Sequence, residues 1–419
     1  MTDNKGKTIL IIPNEDGFGP SSLAYHIVQS LLQKRPLWRI LLWNKSRFSY
    51  NQRLYQKYIR DGRVTVKPIW NIIQLQKSMG RVSMRETLKL MSNYNLLSET
   101  YANQRISDKI DVIVDIGVPP ATRLARHNEL PCISVFDHSW GKTFEMLSDY
   151  VEEEPEGPLS LKECEDWRHL IKAVQRDERD TQKILLMPDF ITPKLYLDYW
   201  YQRINVEVTR LPGVLGGTVA SKQEAMGTLQ IREGMRTILI QGGDTPVWDD
   251  MLRHLFPVLV REAKSKLQER NTQVIVYLPE RLLKDVSLKD ALNYSGPNVY
   301  FLNELRNATL QRILPCIDLM ITRPGGGTVN DCVACRVPFV CLEEKSQPQC
   351  QSILYACITN GLTRIMNAEA FLNDPVSVLL KESDSAYDNK RIVEQMNKVP
   401  IHGEAMIVQE IVELTEGRT

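Results

Sequence analysis

The stretch that decides the fold runs from Pro315 to Leu362, PCIDLMITRPGGGTVNDCVACRVPFVCLEEKSQPQCQSILYACITNGL. Ile317 to Thr322 is a short apolar run closed by a polar residue, the pattern of a buried parallel strand. Pro324-Gly325-Gly326-Gly327 then interrupts regular structure and gives the chain freedom to turn. Thr328 is placed to cap a helix, and Val329 to Cys335 carries helical spacing of apolar residues. Arg336-Val337-Pro338 stops it, and Phe339 to Leu342 is the next buried strand. A glycine turn feeding a helix N-terminus leaves backbone N–H groups unpaired at the positive end of the helix dipole, where a phosphate can bind. From the turn alone, a phosphate site and a plain tight turn are both open.

The order of these pieces resembles the nucleotide-sugar half of GT-B glycosyltransferases, above all the UDP-sugar transferases of the MurG and MGDG-synthase type. The matching residues are Thr322-Arg323, Gly325 to Gly327, Thr328, Asp331, Val337-Pro338, Gln347/Gln349/Gln351 and Gly361. The resemblance is close over about fifty residues. It implies an α/β chain of two Rossmann-like, doubly wound domains facing each other across a cleft.

At 419 residues the chain is long enough for two cores. Its expected domains are an acceptor-side domain over 1–215, a nucleotide-sugar domain over 216–400, and a last helix over 401–419 that in this architecture crosses back to the first domain. A hydrophobic fraction of 43% with 25% charged residues excludes wholesale disorder. A net charge of +1 gives no global case for nucleic acid. The charge is uneven, though. Met1 to Ile110 holds 18 Lys/Arg against 7 Asp/Glu, while Glu145 to Asp180 is acidic. The basic half reads either as a solvated surface or as one facing an anionic acceptor or anionic membrane.

No apolar run has the length of a membrane span, and the apolar run near the N-terminus is too short for a signal peptide. The expectation is a cytoplasmic protein, with peripheral contact to the inner face of a membrane left open. Eight cysteines then read as buried thiols. Cys332 and Cys335 have metal-hook spacing but no second pair, and read as core packing.

Along the first half, strands are expected at Thr8 to Ile12, Arg39 to Trp43, Val64 to Val66, Lys109 to Ile116, Pro131 to Phe136 and, last, Lys183 to Pro188. Met79 to Tyr101 reads as an amphipathic helical stretch. Asn14 to Ser22, Asp115 and Asp137-His138 fall at the carboxyl ends of parallel strands, where open α/β sheets bind ligands. In the second half, Thr237 to Ile240 opens a sheet and leads into Gln241-Gly242-Gly243-Asp244-Thr245. Thr309 to Leu314 reads as a helix.

Two glycine loops in one domain suit a diphosphate held from two sides. The donor-side candidates are Gly242, Gly243, Asp244, Thr245, Arg323, Gly325, Gly326, Gly327, Thr328, Asp331, Gln347 and Gln349. Arg323 reads as the cation for the leaving phosphate or as a structural partner of Asp331. Asp331 stands where the family places a ribose-binding carboxylate, and an acid in a first helical turn is also common. The backbone between Asn303 and Asn307 occupies the family's base-reading position. The distance back from Gly361 does not select one glutamine.

The acceptor-side candidates are Gly17, Gly19, Asp115 and Asp137. The family's first loop often holds a catalytic His, and this chain has Gly17-Phe18-Gly19-Pro20 there. The base is therefore expected at Asp16 first and His138 second. The resemblance implies transfer from a nucleoside-diphosphate sugar, most simply a UDP-sugar, to a glycan, lipid or small-molecule acceptor. Inversion without a metal or cofactor is expected, since no Asp-x-Asp motif is present. The alternatives are a catalytically silent nucleotide-sugar-binding subunit and a UDP-sugar epimerase.

Overall fold

The computed structural model describes residues 6–15, 19–69, 75–78, 81–149, 154–202, 206–217, 219–229, 231–243, 248–294, 296, 298–303, 309–342 and 347–417. The chain divides into two compact units. The first comprises Met1–Gly217, Ser346–Gln349 and Ile401–Thr419, the second Thr218–Lys345 and Cys350–Pro400.

The first unit is built on β1 (Thr8–Pro13), β2 (Arg39–Trp43), β3 (Val64–Lys67), β4 (Val112–Ile116), β5 (Cys132–Phe136), β6 (Lys183–Leu186) and β7 (Glu207–Arg210). They form a parallel sheet in the order β3-β2-β1-β4-β5-β6-β7. The central strands are buried and mostly apolar because both faces are covered, with Asp115 in β4 and Ser134 in β5 as buried polar exceptions. The order reverses between β1 and β4, so a crevice opens beyond their carboxyl ends. Helices α1 (Gly19–Lys34), α2 (Pro120–His127), α3 (Trp140–Ser148) and α4 (Leu161–Arg179) connect and cover these strands.

In the second unit β8 (Arg236–Gln241), β9 (Thr272–Tyr277), β10 (Val299–Leu302), β11 (Leu319–Thr322), β12 (Phe339–Leu342) and β13 (Thr363–Met366) form a parallel sheet in the order β10-β9-β8-β11-β12-β13. Its switch point lies between β8 and β11. One face is sealed by α5 (Asp249–Glu262), whose Leu252, Leu255, Phe256 and Leu259 pack on Ile238, Val274 and Ile321. Helices α6 (Gly326–Cys335) and α7 (Pro348–Thr359) follow β11 and β12. The final helix, α8 (Glu404–Glu416), packs on α1 and is tied to the first unit by ion pairs Arg35–Glu416 (2.9 Å) and Lys183–Glu410 (2.7 Å).

Several local expectations change. β6 is not the last strand of its sheet: Glu207–Arg210 adds β7. Its sequence, EVTR, lacks an apolar run because an edge strand is covered on fewer sides. Met79 and Gly80 lie outside the described residues; the rest of the expected Met79 to Tyr101 helix is a short strand at Arg81–Val82 and two helices, Met84–Met91 and Tyr94–Ala102, separated at Ser92-Asn93. Leu310–Arg312 and Leu314–Cys316 are single 3₁₀ turns, since Pro315 has no N–H with which to continue a helix. Helix α6 begins at Gly326 with Gly325 as its N-cap, so Thr328 lies inside the first turn and does not cap it. The eight cysteines are free thiols, and Cys332 Sγ packs 3.4 Å from Met320 Sδ.

Candidate functional site

In the second unit the β8–β11 register aligns Gln241 with Thr322. Gly242-Gly243 and Arg323-Pro324-Gly325 therefore leave the sheet side by side at its carboxyl edge. Gly243 has φ +77°, and a Cβ there would stand 3.9 Å from Arg323 Cδ. At Gly242 a Cβ would lie 2.6 Å from the Trp248 ring, so only glycine admits that ring behind the loop. Gly325 has nothing within 4 Å of its Cβ position. Beyond it, Gly326, Gly327 and Thr328 form the first turn of α6, whose N–H groups have no helical acceptor.

Arg323 is 7% exposed, and its Nη2 donates to Cys350 Sγ at 3.1 Å. Buried Asp331 accepts from Gln311 Nε2 (2.9 Å) and Asn330 Nδ2 (3.1 Å). Sequence reading named neither Gln311 nor Cys350; both are remote in sequence and carry no motif. The arrangement can hold an anion between two glycine turns, a guanidinium and a helix N-terminus. Asp244 and Thr245 lie outside the described residues, as do 304–308 of the base-reading segment.

In the first unit β5 ends in Phe136, and Asp137-His138-Ser139 forms the turn into α3. Ser139 caps α3 through Lys142 N–H (3.0 Å). Buried Glu178 accepts from Ser139 Oγ (2.9 Å) and Trp140 N (2.8 Å), which fixes the turn. The fixed turn places His138 Nδ1 2.7 Å from Asp137 Oδ1, with the Trp140 ring edge-on at 4.7 Å. Burial by itself would raise the Asp137 carboxyl, but the His138 ring and nearby backbone N–H groups hold it below its usual range. Nδ1 lies within reach of both the Asp137 carboxylate and the Gln349 amide NH2, so it donates to Asp137 in the tautomer that leaves the lone pair on Nε2 and accepts from Gln349 in the other. His138 Nε2 is buried and has no hydrogen-bond partner.

Gln349, which groups with the first unit, has Nε2 2.8 Å from His138 Nδ1 and 3.3 Å from Asp137 Oδ2. Gln347 Nε2 donates to Gln349 Oε1 at 3.5 Å. The structure thus brings Asp137, His138 and Gln349 together.

Asp115, the penultimate residue of β4, pairs opposite Ser134 and is fully buried. It accepts from the Val118 N–H (2.7 Å) and from the Ser134 hydroxyl. Burial pushes its carboxyl up to about 7 in spite of these donors. Gly19 opens α1. Asp16 and Gly17 lie outside the described residues. Among the described residues no group of His, Cys, Asp and Glu has a metal-binding arrangement, and no helix is long and apolar enough to cross a membrane.

No protein-family model and no curated protein matches this chain. Solved structures do. The glycotransferase of kitacinnamycin superposes with a TM-score of 0.63 at 13% identity, over 98% of this chain and 99% of that one. UDP-glucose:anthocyanidin 3-O-glucosyltransferase in complex with UDP gives 0.60 at 13% identity, with all of both chains covered. MurG of Acinetobacter baumannii gives 0.50 at 11%, over 97% and 99%. The chain has the fold of the GT-B glycosyltransferases: an α/β fold of two Rossmann-like domains with parallel sheets.

Proposed function

We propose that this protein is a glycosyltransferase that moves a sugar from a nucleoside-diphosphate sugar, most simply a UDP-sugar, to a hydroxyl acceptor with inversion. The observation that carries the reading is the pairing of Gly243 with Arg323 at adjacent strand ends, directly before the N-terminus of α6. Structural neighbours of the whole chain are glycosyltransferases, and UDP is bound in some of them.

In this reading the acceptor oxygen attacks the anomeric carbon, and the bond from that carbon to the phosphate oxygen breaks. Negative charge grows on the departing diphosphate. Arg323 and the N–H groups of Gly326 and Gly327 offset it most in the transition state. His138 Nε2 takes the acceptor proton, and Asp137 holds the ring in the required tautomer and stabilises the imidazolium that forms. Asp16 is the competing base. Asp331 is assigned to the ribose, and Gln347 and Gln349 to the sugar. The cation-rich first 110 residues support approach to an anionic partner, tested by salt-dependent flotation with anionic vesicles.

The test is a thermal-shift screen of UDP, GDP, ADP and TDP, followed by turnover of the matching sugar donors. One diphosphate should raise the melting temperature in a concentration-dependent way. His138→Gln should cut turnover about 100- to 10,000-fold while leaving nucleotide affinity near wild type. No shift with any nucleotide sinks the proposal. Full turnover in His138→Gln moves the base to Asp16.

A further inference from the structure

Among the described residues, His138 Nδ1 faces two partners that require opposite things of it. It lies 2.7 Å from Asp137 Oδ1 and 2.8 Å from Gln349 Nε2. All three residues belong to the first unit. Burial opposes charge on Asp137, but the His138 ring and backbone N–H groups outweigh it, so the carboxylate only accepts. The Gln349 amide nitrogen only donates. A neutral imidazole nitrogen carries either a hydrogen or a lone pair. Nδ1 therefore serves one partner at a time and never both.

The surrounding contacts keep the opposition in place. Gln349 Nε2 also donates to Asp137 Oδ2 at 3.3 Å, and its Oε1 accepts from Gln347 Nε2 at 3.5 Å. Exchanging the two ends of the amide would set an oxygen against the carboxylate and a nitrogen against Gln347, so the NH2 end stays toward the ring. Ring rotation offers no escape. His138 is buried, with the Trp140 ring at 4.7 Å and the Tyr196 ring at 6.2 Å. The conflict is settled by where the proton sits. With Gln349 seated, Nδ1 keeps its lone pair, and Nε2 carries the hydrogen and takes no other. With Gln349 turned aside, Nε2 gives up its proton, Nδ1 gains one and donates it to Asp137, and Nε2 becomes basic. The ring is neutral in both states.

We propose that Gln349 is a positioning residue that sets the tautomer of His138: seated on Nδ1 it keeps Nε2 protonated, and its departure hands Nδ1 to Asp137 and frees Nε2 as the base. The proposal rests on the transferase reading, in which His138 is the base, and adds how that base is switched on. A bond to a carboxylate is about twice as strong as one between neutral groups, but Gln349 brings two bonds, to Nδ1 and to Asp137 Oδ2, against one. Both tautomers are therefore populated while Gln349 is seated. Only the fraction with a bare Nε2 reacts, so Gln349 acts on kcat and leaves nucleotide affinity alone.

The experiment labels the full chain with isotopic histidine and reads its six imidazoles by proton–nitrogen correlation NMR at the alkaline plateau, where they are neutral. His138→Gln identifies the His138 signals. In the wild type the Nδ1 and Nε2 shifts should be intermediate, averaged over the two tautomers. Gln349→Met keeps the length of the side chain and removes its NH2. There the shifts should separate, with Nδ1 protonated and Nε2 bare, a change of at least about tenfold in the tautomer ratio. If Gln349→Met does not fold, Gln349→Leu takes its place with the same expectation. A wild type already wholly Nδ1–H, or the same shifts in the folded variant, overturns the proposal; a role in packing alone would leave the nitrogen shifts where they are. UDP is titrated in parallel by calorimetry, and its affinity should stay near wild type in the variant. UDP binding with unchanged shifts removes the switch and leaves the transferase reading. A shifted tautomer without binding of any nucleotide keeps the hold of Gln349 on the ring and removes the transferase reading.

Discussion

Replacing Asp115 with Asn turns a buried charge problem into a measurable slope. Asp115 sits one residue before the end of β4 with no exposed surface, accepting from Val118 N–H and the Ser134 hydroxyl. Those donors favour the carboxylate, but burial outweighs them and the carboxyl rises from 3.8 to about 7. Because the folded-state value lies above the unfolded one, the protonated carboxyl contributes its full stability below about pH 4. That contribution is lost as pH rises through about 7, an amount of about 4 kcal/mol at ~1.4 kcal/mol per pH unit. Asn stays neutral throughout, so the variant's stability relative to wild type should gain about 2 kcal/mol between pH 5 and pH 7 and level off near pH 8. One donor will face the amide NH2 in the variant, which costs about 1–3 kcal/mol. That cost does not vary with pH, so it sets the offset and not the slope. Urea unfolding followed by tryptophan fluorescence suits the measurement, since among the described residues Trp38, Trp43, Trp140, Trp167 and Trp200 fall in the first unit and Trp248 in the second. A stability difference that stays constant from pH 5 to pH 8 would refute the assignment of a proton to Asp115.

The remaining tests address the glycine turns, the donor carboxylate and the α3 cap. Gly242→Ala should destabilise the second unit by about 1–3 kcal/mol through its collision with Trp248, whereas Gly325→Ala should cost under about 1 kcal/mol; equal melting curves for the two would contradict the packing. Asp331→Ala should lower stability by about 1–3 kcal/mol, because Gln311 and Asn330 lose a buried acceptor. A loss of UDP affinity in the folded variant adds the ribose role, and unchanged affinity confines Asp331 to the interior. Glu178→Ala should destabilise the first unit by at least about 2 kcal/mol, read by chemical unfolding, since it strips the acceptor from Ser139 and from the Trp140 N–H at the start of α3.

The sequence alone determined the sheet-and-turn plan. Arg39–Trp43 and Phe339–Leu342 were legible to the residue, because a strand covered on both faces reads as a near-continuous apolar run closed by turn residues. The glycines at 242–243 and 325–327 were legible as turns because close packing and unusual backbone angles admit no side chain, as Trp248 behind Gly242 and φ +77° at Gly243 demonstrate. Only the tertiary structure decided which side chains meet. Gly243 stands beside Arg323 because β8 pairs with β11 across some eighty intervening residues. Gln349 reaches the Asp137–His138 pair from more than two hundred residues away. Glu207–Arg210 was unreadable as a strand because its pattern is set by a neighbour it meets at the sheet edge. Asn44 and Asn51 belong to the same class: an asparagine looks like a surface residue until the fold buries it, here with amide atoms unpaired. Local chemistry writes strands and turns into the sequence; pairing, burial and the partners left unmade arise only when distant segments pack.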